Sequence, residues 1–295
     1  MSVERVPLAG GIIDRDAPTR GSVEALAAAW AAPGALVLRI AGTNVPVRAA
    51  DRSLALVPAA EVAAPEAERI YLGRRDGAPV FAVATEESAS EPGVAWQHPF
   101  HAVMKLDHAE RELVTMALAV IRWHEAAGFS PRDGEPTEIA DGGWSRRTSS
   151  GGELFPRTDP AVIVLITHED RVLLGSNVLW ETGRFSLLAG FVEAGETLEN
   201  AVAREVFEEA GVRVGDVRYI ASQPWPFPRS LMLGFHAHLA PGQDPAALVA
   251  DPTEISELRW FTREEIRSPQ AGLLLPGSLS IAGWMLDTWA QDGAL

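Results

Sequence analysis

The segment from residue 190 to residue 212 constrains the fold of this 295-residue chain more than any other segment. It reads GFVEAGE, then seven residues, then REVFEEAGV, so glycines bracket a loop that leads into a helix predicted over 197–210. Glu205, Glu208 and Glu209 have the spacings i, i+3 and i+4, which place three carboxylates on one helical face. Because like charges repel, a bound cation would stabilise this cluster, and hard oxygen ligands suit Mg²⁺ or Mn²⁺.

A solvated acidic face is the alternative interpretation, and a bare E-x-x-E-E pattern would favour it. The residues around the cluster argue against that alternative. Glu196 and Arg204 are placed to pair with each other and to fix the loop against the helix. The segment therefore predicts a loop and a helix built around a divalent cation.

This segment resembles the Nudix box at every defined position of that motif: Gly190, Glu196, Arg204, Glu205, Val206, Glu208, Glu209, Gly211 and Val212. The resemblance implies an α+β Nudix fold, a mixed-sheet α/β/α sandwich in which the box forms a loop, a helix and a second loop. It also implies hydrolysis of a nucleoside diphosphate linked to another group. In the family, Glu205, Glu208 and Glu209 hold the divalent ions with help from the backbone carbonyl of Gly190. Arg204 and Glu196 complete the implied catalytic set.

A second motif, SQPWPFPRS, occupies residues 222–230 and starts eleven residues after Gly211. Three prolines alternate with aromatic residues, which predicts a stiff, extended wall that cannot be a central strand, because proline donates no ladder hydrogen bond. Taken alone, such a wall could be a rigid edge or a dimer surface. Following a Nudix box, it closely resembles the marker of the NADH pyrophosphatase family. The resemblance implies that Gln223, Trp225, Phe227 and Ser230 contact the substrate.

That family resemblance implies the conversion of NAD(H) and water to NMN(H) and AMP and, in several members, removal of an NAD cap from RNA. Two alternatives stay open at this point. One is a Nudix hydrolase for another substrate, such as ADP-ribose or a dinucleoside polyphosphate. The other is a non-catalytic nucleotide sensor on a Nudix scaffold, against which the intact glutamate cluster argues.

Further positions match the family outside the two motifs. Glu254 matches an additional metal ligand, and Glu257 is the nearby alternative. Phe191 matches an aromatic residue that stacks on a substrate ring, and Phe155 matches the aromatic residue that ends the connector, although core packing is the other interpretation for both. The loop 276–280, which ends at Ser280, resembles the loop whose backbone contacts the nucleobase.

The pattern along the chain suggests three segments. Residues 1–106 are rich in short strands such as Ser53–Val57, and Arg75-Asp76-Gly77 predicts a hairpin turn. Residues 107–156 combine a helix, which starts at an Asp107–Glu110 capping box and ends at Gly128, with a connector predicted to be rich in loops. Residues 157–295 form the predicted Nudix domain.

The connector shows where the chain departs from the family. Many members carry a four-cysteine zinc ribbon, whereas this chain contains no cysteine and has Ser130, Asp133, Thr148 and Gly151 at the corresponding spacing. These residues cannot form a structural zinc site, so we expect no zinc. We expect packing to hold the connector instead, with these aromatic candidates: Trp123, Phe129 and Trp144. His236 and His238 alternate on one strand and are expected to be ordinary strand residues rather than metal ligands.

Composition limits the partners and the cellular compartment that we expect for this protein. The formal net charge of −15 disfavours a protein whose main partner is a nucleic-acid backbone, although it permits a phosphate held through a divalent metal. The absence of cysteine, of a long apolar run and of a signal-peptide pattern leads us to expect a cytoplasmic protein without membrane association. Members of the family form homodimers, and exposed strand edges would suit a partner, so we expect a homodimer.

Overall fold

The computed structural model describes residues 6–8, 10–87, 91–103 and 105–292. The chain divides into two compact units. The N-terminal unit comprises Gly10–Arg157 and Pro226–Arg229, and the C-terminal unit comprises Thr158–Trp225 with the described parts of 1–9 and 230–295. The structure thus groups the segment 107–156 with the strands that precede it.

Strands dominate the described part of the N-terminal unit: β1 Leu36–Ile40, β2 Val45–Arg48, β3 Val57–Pro58, β4 Ile70–Arg75, β5 Ala78–Ala84, β6 Val94–Gln97, β7 Thr137–Ala140, β8 Ser145–Thr148 and β9 Glu153–Leu154. A four-stranded sheet has the order β3-β1-β5-β4, β2 pairs with β6, and β7, β8 and β9 form a third sheet. The predicted hairpin is confirmed, because β4 and β5 pair antiparallel around the turn at residues 76 and 77.

The predicted strand Ser53–Val57 is wrong. Residue 54 forms only an isolated bridge with Val47, and regular pairing is limited to the two residues of β3. The side chain of Asp51 explains this, because its Oδ1 atom accepts hydrogen bonds from both the backbone N and the Oγ of Ser53 and thereby stabilises a turn.

Among the described residues, four helices accompany these sheets: α1 Ala17–Arg20, α2 Val23–Ala31, α3 Pro99–Ala102 and α4 His108–Ala126. Short 3₁₀ turns lie at Ala59–Glu61, Glu66–Glu68 and Asp141–Gly143. The predicted capping box at Asp107 and Glu110 is confirmed in both directions, although α4 ends two residues before Gly128. Its buried face, which includes Leu113 and Ala117, packs into the core of the unit.

The connector is more regular than predicted, because β7, β8 and β9 form an antiparallel sheet there. Hydrogen bonds between and within the two turns order the degenerate zinc-ligand positions. Glu135 Oε2 accepts from the backbone N and the Oγ of Ser150, at 3.3 and 2.8 Å, and Thr148 Oγ1 accepts from Gly152 N at 2.8 Å. Local polar contacts therefore contribute to the shape of the connector.

The three aromatic residues predicted to pack the connector differ in their burial. Trp123 is buried, and Trp144 is partly buried and donates from Nε1 to the backbone O of Tyr71 at 2.7 Å. Phe129 is largely exposed, so its predicted role in packing the connector is wrong. Ser130 provides the local order at this point, because its carbonyl accepts from Gly134 N at 2.9 Å.

The C-terminal unit is built on one mixed sheet with these strands: β10 Asp159–His168, β11 Arg171–Asn177, β12 Leu188–Phe191, β13 Val214–Trp225, β14 Ser230–Leu239 and β15 Ile255–Thr262. The order is β13-β14-β10-β11-β15, and β12 pairs with one part of β10. Strands β10 and β14 are parallel, and the other pairs are antiparallel. The expected mixed sheet is confirmed.

In the part of this unit that the structure describes, three helices cover the sheet: α5 Leu198–Ala210, α6 Arg263–Arg267 and α7 Ile281–Asp292. Side chains alternate along β10, so Val164 packs in a core with α5 while Leu165 packs in a second core with α7. This arrangement is the predicted α/β/α sandwich. Within the described ranges, no helix is both long and apolar enough to cross a membrane.

Candidate active site

Helix α5 carries the acidic cluster, and local sequence sets both of its ends. Thr197 Oγ1 accepts a hydrogen bond from Asn200 N at 3.3 Å, and Gly211 ends the helix in the left-handed region at φ 70°. Val202 and Val206 are fully buried in the core that includes β10. Their burial fixes the rotation of the helix and therefore the direction in which its glutamates project.

Gly190 and Glu205 lie in direct contact. Gly190 pairs with Val162 where β12 meets β10. A Cβ atom at residue 190 would lie 2.0, 2.1 and 2.2 Å from the Cδ, Oε1 and Oε2 atoms of Glu205. Only glycine leaves this space for the carboxylate, which brings two of the predicted metal ligands together.

Arg204 connects the loop of the box with its helix. Its Nε and Nη2 atoms donate to the two oxygens of Glu196 at 2.9 and 2.8 Å, and Nη2 also donates to the backbone O of Phe191 at 2.9 Å. Its Nη1 atom donates to Glu205 and Glu208, at 2.9 Å each. The hydrogen bonds to Glu196 are the main cause of a raised pKa of the Arg204 guanidinium, which stays charged.

The three glutamates of α5 differ in how deeply they are buried. Glu209 is 7% exposed, and desolvation, followed by the charges of Glu205 and Glu254, raises its pKa to about 8. Burial also raises the pKa of Glu205, against the opposing effect of Arg204. Glu208 is exposed. A cation at this cluster would offset the cost of burying the charged carboxylates.

Glu254 belongs to the same electrostatic group. It lies in the turn before β15, and its charge raises the pKa of both Glu205 and Glu209. Glu257 lies inside β15, where it pairs with Ser176. The structure therefore brings Glu254 close to the box.

Among the residues that the structure describes, no three histidine, aspartate or glutamate side chains are arranged to hold a metal ion as they stand. Arg204 instead neutralises Glu205 and Glu208. The residues nevertheless fit a divalent cation, because the buried Oε2 atom of Glu209 has no hydrogen-bond partner among the described residues and the available ligand atoms are hard carboxylate oxygens.

The second motif is a hairpin tip rather than one extended wall. Strand β13 is the outer strand of its sheet and ends at Trp225, residues 226–229 turn, and β14 starts at Ser230, which pairs with Trp225. The prediction that this segment is not a central strand is confirmed. Trp225 is half-buried, and the Phe227 ring lies 5.9 Å from the ring of His98.

Gln223 is engaged within the protein rather than presented to a ligand. Its side chain is fully buried, and Nε2 donates to the backbone O of Pro7 at 2.6 Å and of Leu279 at 2.8 Å, while Oε1 accepts from Ile281 N at 2.8 Å. The amide ties β13 to the loop before α7. The sequence could not reveal this role, because its partners lie far away along the chain.

The remaining candidates differ in exposure. Phe155 and Phe191 are 63% and 60% exposed, so the alternative of core packing is excluded for both in this structure. The Ser280 side chain caps α7: its Oγ accepts from Gly283 N at 3.1 Å and donates to Gly277 O at 2.8 Å. Its hydroxyl therefore positions the loop 276–280.

One exposed apolar segment beside this cluster has no counterpart among the sequence predictions. Val178, Leu179 and Trp180 follow β11, and Val178 N donates to the backbone O of Glu254 at 2.9 Å. The sequence signal that could have identified this segment is its run of three apolar residues, Val-Leu-Trp, between a strand end and a glycine.

Comparison with known proteins finds a matching family model in each of these two units. Residues 157–278 match the NUDIX domain, and residues 34–123 match the NADH pyrophosphatase-like rudimentary NUDIX domain. The NAD-capped RNA hydrolase NudC of Mycobacterium bovis is 44% identical over 97% of this chain and 95% of its own length. The human NAD-capped RNA hydrolase NUDT12 is 40% identical over 65% of this chain and 44% of its own length. A NUDIX hydrolase structure from Nitrosomonas europaea has 23% identity and a TM-score of 0.45, and covers 56% of this chain and 90% of its own.

Proposed function

This chain belongs to the NudC family of Nudix hydrolases, and from that premise we propose that it hydrolyses the pyrophosphate bond of NAD(H) to give NMN(H) and AMP. We extend the proposal to NAD-capped RNA, because the relatives are named for that activity and the cap contains the same pyrophosphate. An ADP-ribose or dinucleoside polyphosphate hydrolase is the competing assignment.

The observation that carries the proposal is the incomplete charge balance of the acidic cluster. Glu209 is buried, one of its carboxylate oxygens has no hydrogen-bond partner in the described part of the chain, and the charges of Glu205 and Glu254 raise its pKa. Such a cluster is costly without a cation, and a cation that binds there would in turn bind a phosphate.

Glu205, Glu208, Glu209 and Glu254, with the backbone carbonyl of Gly190, would hold Mg²⁺ or Mn²⁺. When bound, a divalent cation neutralises phosphoryl oxygens and lowers the pKa of water. Arg204 fixes the geometry by holding Glu196 and the carbonyl of Phe191. Glu208 or Glu209 takes the proton of the attacking water, and their different exposure gives them different access to solvent.

Recognition of the two nucleosides requires groups other than the carboxylates, because the carboxylates interact only with the pyrophosphate. We assign stacking to the exposed rings of Phe191 and Phe155, and further contacts to Trp225, Phe227 and Ser230. Gln223 and Ser280 act as positioning residues, since their side chains organise the loop before α7.

The same family assignment supports a homodimer. A mass of twice 31.6 kDa by light scattering at micromolar concentration is the expected result, and a mass near 31.6 kDa would contradict it. A dimer would cover strand edges that otherwise expose unpaired backbone groups.

The substrate is tested by comparing kcat/KM for NADH, NAD⁺, NAD-capped RNA, ADP-ribose and diadenosine polyphosphate in the presence of Mg²⁺ or Mn²⁺. NADH, NAD⁺ or NAD-capped RNA should be preferred by at least about 10-fold, the selectivity that one or two lost contacts produce. Preference for ADP-ribose would overturn the NAD(H) assignment. Binding of NADH without turnover would instead support a sensor.

A further inference from the structure

The segment Val178–Trp180 exposes three consecutive apolar side chains beside the acidic cluster. Leu179 is 89% exposed and Trp180 is 42% exposed. Contiguous exposed apolar side chains commonly mark a binding surface. A tryptophan is especially suited to this role, because it offers a large flat face that stacks on heterocyclic rings.

Hydrogen bonds hold the backbone of this segment in place. Val178 N donates to Glu254 O at 2.9 Å, Leu179 N donates to Asn177 Oδ1 at 2.9 Å, and Trp180 N donates to Asn177 O at 3.0 Å. The segment is thus attached directly to one of the carboxylate residues assigned to the cation. A platform with a fixed backbone loses little conformational freedom when a ligand binds.

Exposed aromatic residues lie in the segments next to two of the residues assigned to the cation, Gly190 and Glu254. Phe191 directly follows Gly190 on β12, and Trp180 belongs to the segment anchored at Glu254 before β15. The two segments that carry these rings therefore meet the cluster at different residues, Gly190 and Glu254. A dinucleotide has the matching arrangement, since one heterocycle lies on each side of a central pyrophosphate.

We propose that Leu179 and Trp180 bind the adenosine half of the dinucleotide, with Trp180 stacking on the adenine. The inference rests on the proposed function and adds to it the division of the two heterocycles, with Phe191 on the nicotinamide side of the pyrophosphate and Trp180 on the adenine side. In an NAD-capped RNA, that adenosine is the first nucleotide of the RNA chain. The segment is then a specificity element for both substrates.

The test compares the Trp180→Ala protein with the wild type, using NADH as substrate and AMP and NMN as competing products. The inhibition constant for AMP should rise about 10-fold, the effect of losing one base–aromatic stack, while that for NMN stays within about 2-fold. KM for NADH should rise with little change in kcat, because the contact is made before and during the reaction. Trp180→Phe should retain most of the affinity for AMP.

Tyr219→Ala is the matched control, because Tyr219 is an exposed aromatic residue on the outer strand β13, where its ring packs on Phe235. It should leave both inhibition constants unchanged. An unchanged constant for AMP in Trp180→Ala, or equal changes for AMP and NMN, would overturn the inference. Failure of the wild type to hydrolyse NADH would refute the proposed function instead, and direct titration of AMP and NMN would still test the segment.

Discussion

Gly190→Ala is the perturbation whose effect follows most directly from the geometry of the site. The new Cβ atom would lie 2.0 Å from Cδ of Glu205, whereas ordinary van der Waals contact begins at 3.4 Å. The carboxylate of Glu205 must therefore move by about 1.4 Å, and a misplacement of about 1 Å can cost roughly 100-fold in rate. We expect kcat for NADH to fall about 100-fold.

The fold should tolerate this change, because Gly190 does not occupy the positive-φ region that disfavours other residues. Gly215→Ala is the matched control: it adds the same atom to another strand of the sheet, where no atom of the described residues outside its chain neighbours lies within 4 Å. Both variants should melt close to the wild type by circular dichroism, and Gly215→Ala should keep wild-type turnover.

A double-mutant cycle locates the effect. If Gly190→Ala acts by displacing Glu205, adding it to Glu205→Gln should cost far less than it does in the wild type. A folded Gly190→Ala enzyme with wild-type kcat would refute the close contact as a functional constraint. Full additivity in the cycle would show that the loss arises elsewhere.

Four further predictions concern other parts of the molecule. Glu209→Gln should lower kcat roughly 1,000-fold without unfolding the protein, because it removes a charge from the cation site; near-normal turnover would contradict that role. Gln223→Ala should lower the free energy of unfolding by about 3 kcal/mol in a denaturant titration, because it leaves two buried backbone groups and one partly buried one without their side-chain partner; a loss below about 1 kcal/mol would mean that the site relaxes. Burial lowers the pKa of His124 from 6.5 to about 4, so the unfolded chain binds the extra proton between these values, and the free energy of unfolding should fall by up to about 3 kcal/mol as pH drops through that window; His124→Gln should remove this part of the pH dependence. Elemental analysis of the purified protein should find no stoichiometric zinc, and one zinc per chain would reveal a site built from histidines and carboxylates.

The parts of the site that depend on local sequence could be predicted closely. Helix α5 begins after Thr197 and ends at Gly211, because a capping hydroxyl and a left-handed glycine act on their own neighbours. The pairing of Arg204 with Glu196 is also local, because Glu196 directly precedes the cap of the helix that carries Arg204. Such features need no knowledge of distant strands.

Features that depend on distant partners could not be predicted. The sequence suggests that Gln223 is an exposed polar residue of a motif. Its side chain is buried instead, because residues 7, 279 and 281, from both ends of the chain, bind it. The sequence predicts loops in the connector because its strands are only two to four residues long. Such strands are too short to show a clear alternation of apolar and polar residues. The role of Val178–Trp180 emerges only from its contact with residue 254.

Identification of the products formed from NADH tests the central claim most directly. The protein is incubated with NADH and Mg²⁺ or Mn²⁺ in ¹⁸O-labelled water. The products are then separated, and their masses are measured by mass spectrometry. Hydrolysis at the pyrophosphate predicts equal amounts of NMNH and AMP, with one ¹⁸O atom on one of the two phosphates. Release of the nicotinamide base, or no consumption of NADH by a folded protein supplied with either metal, would contradict the account.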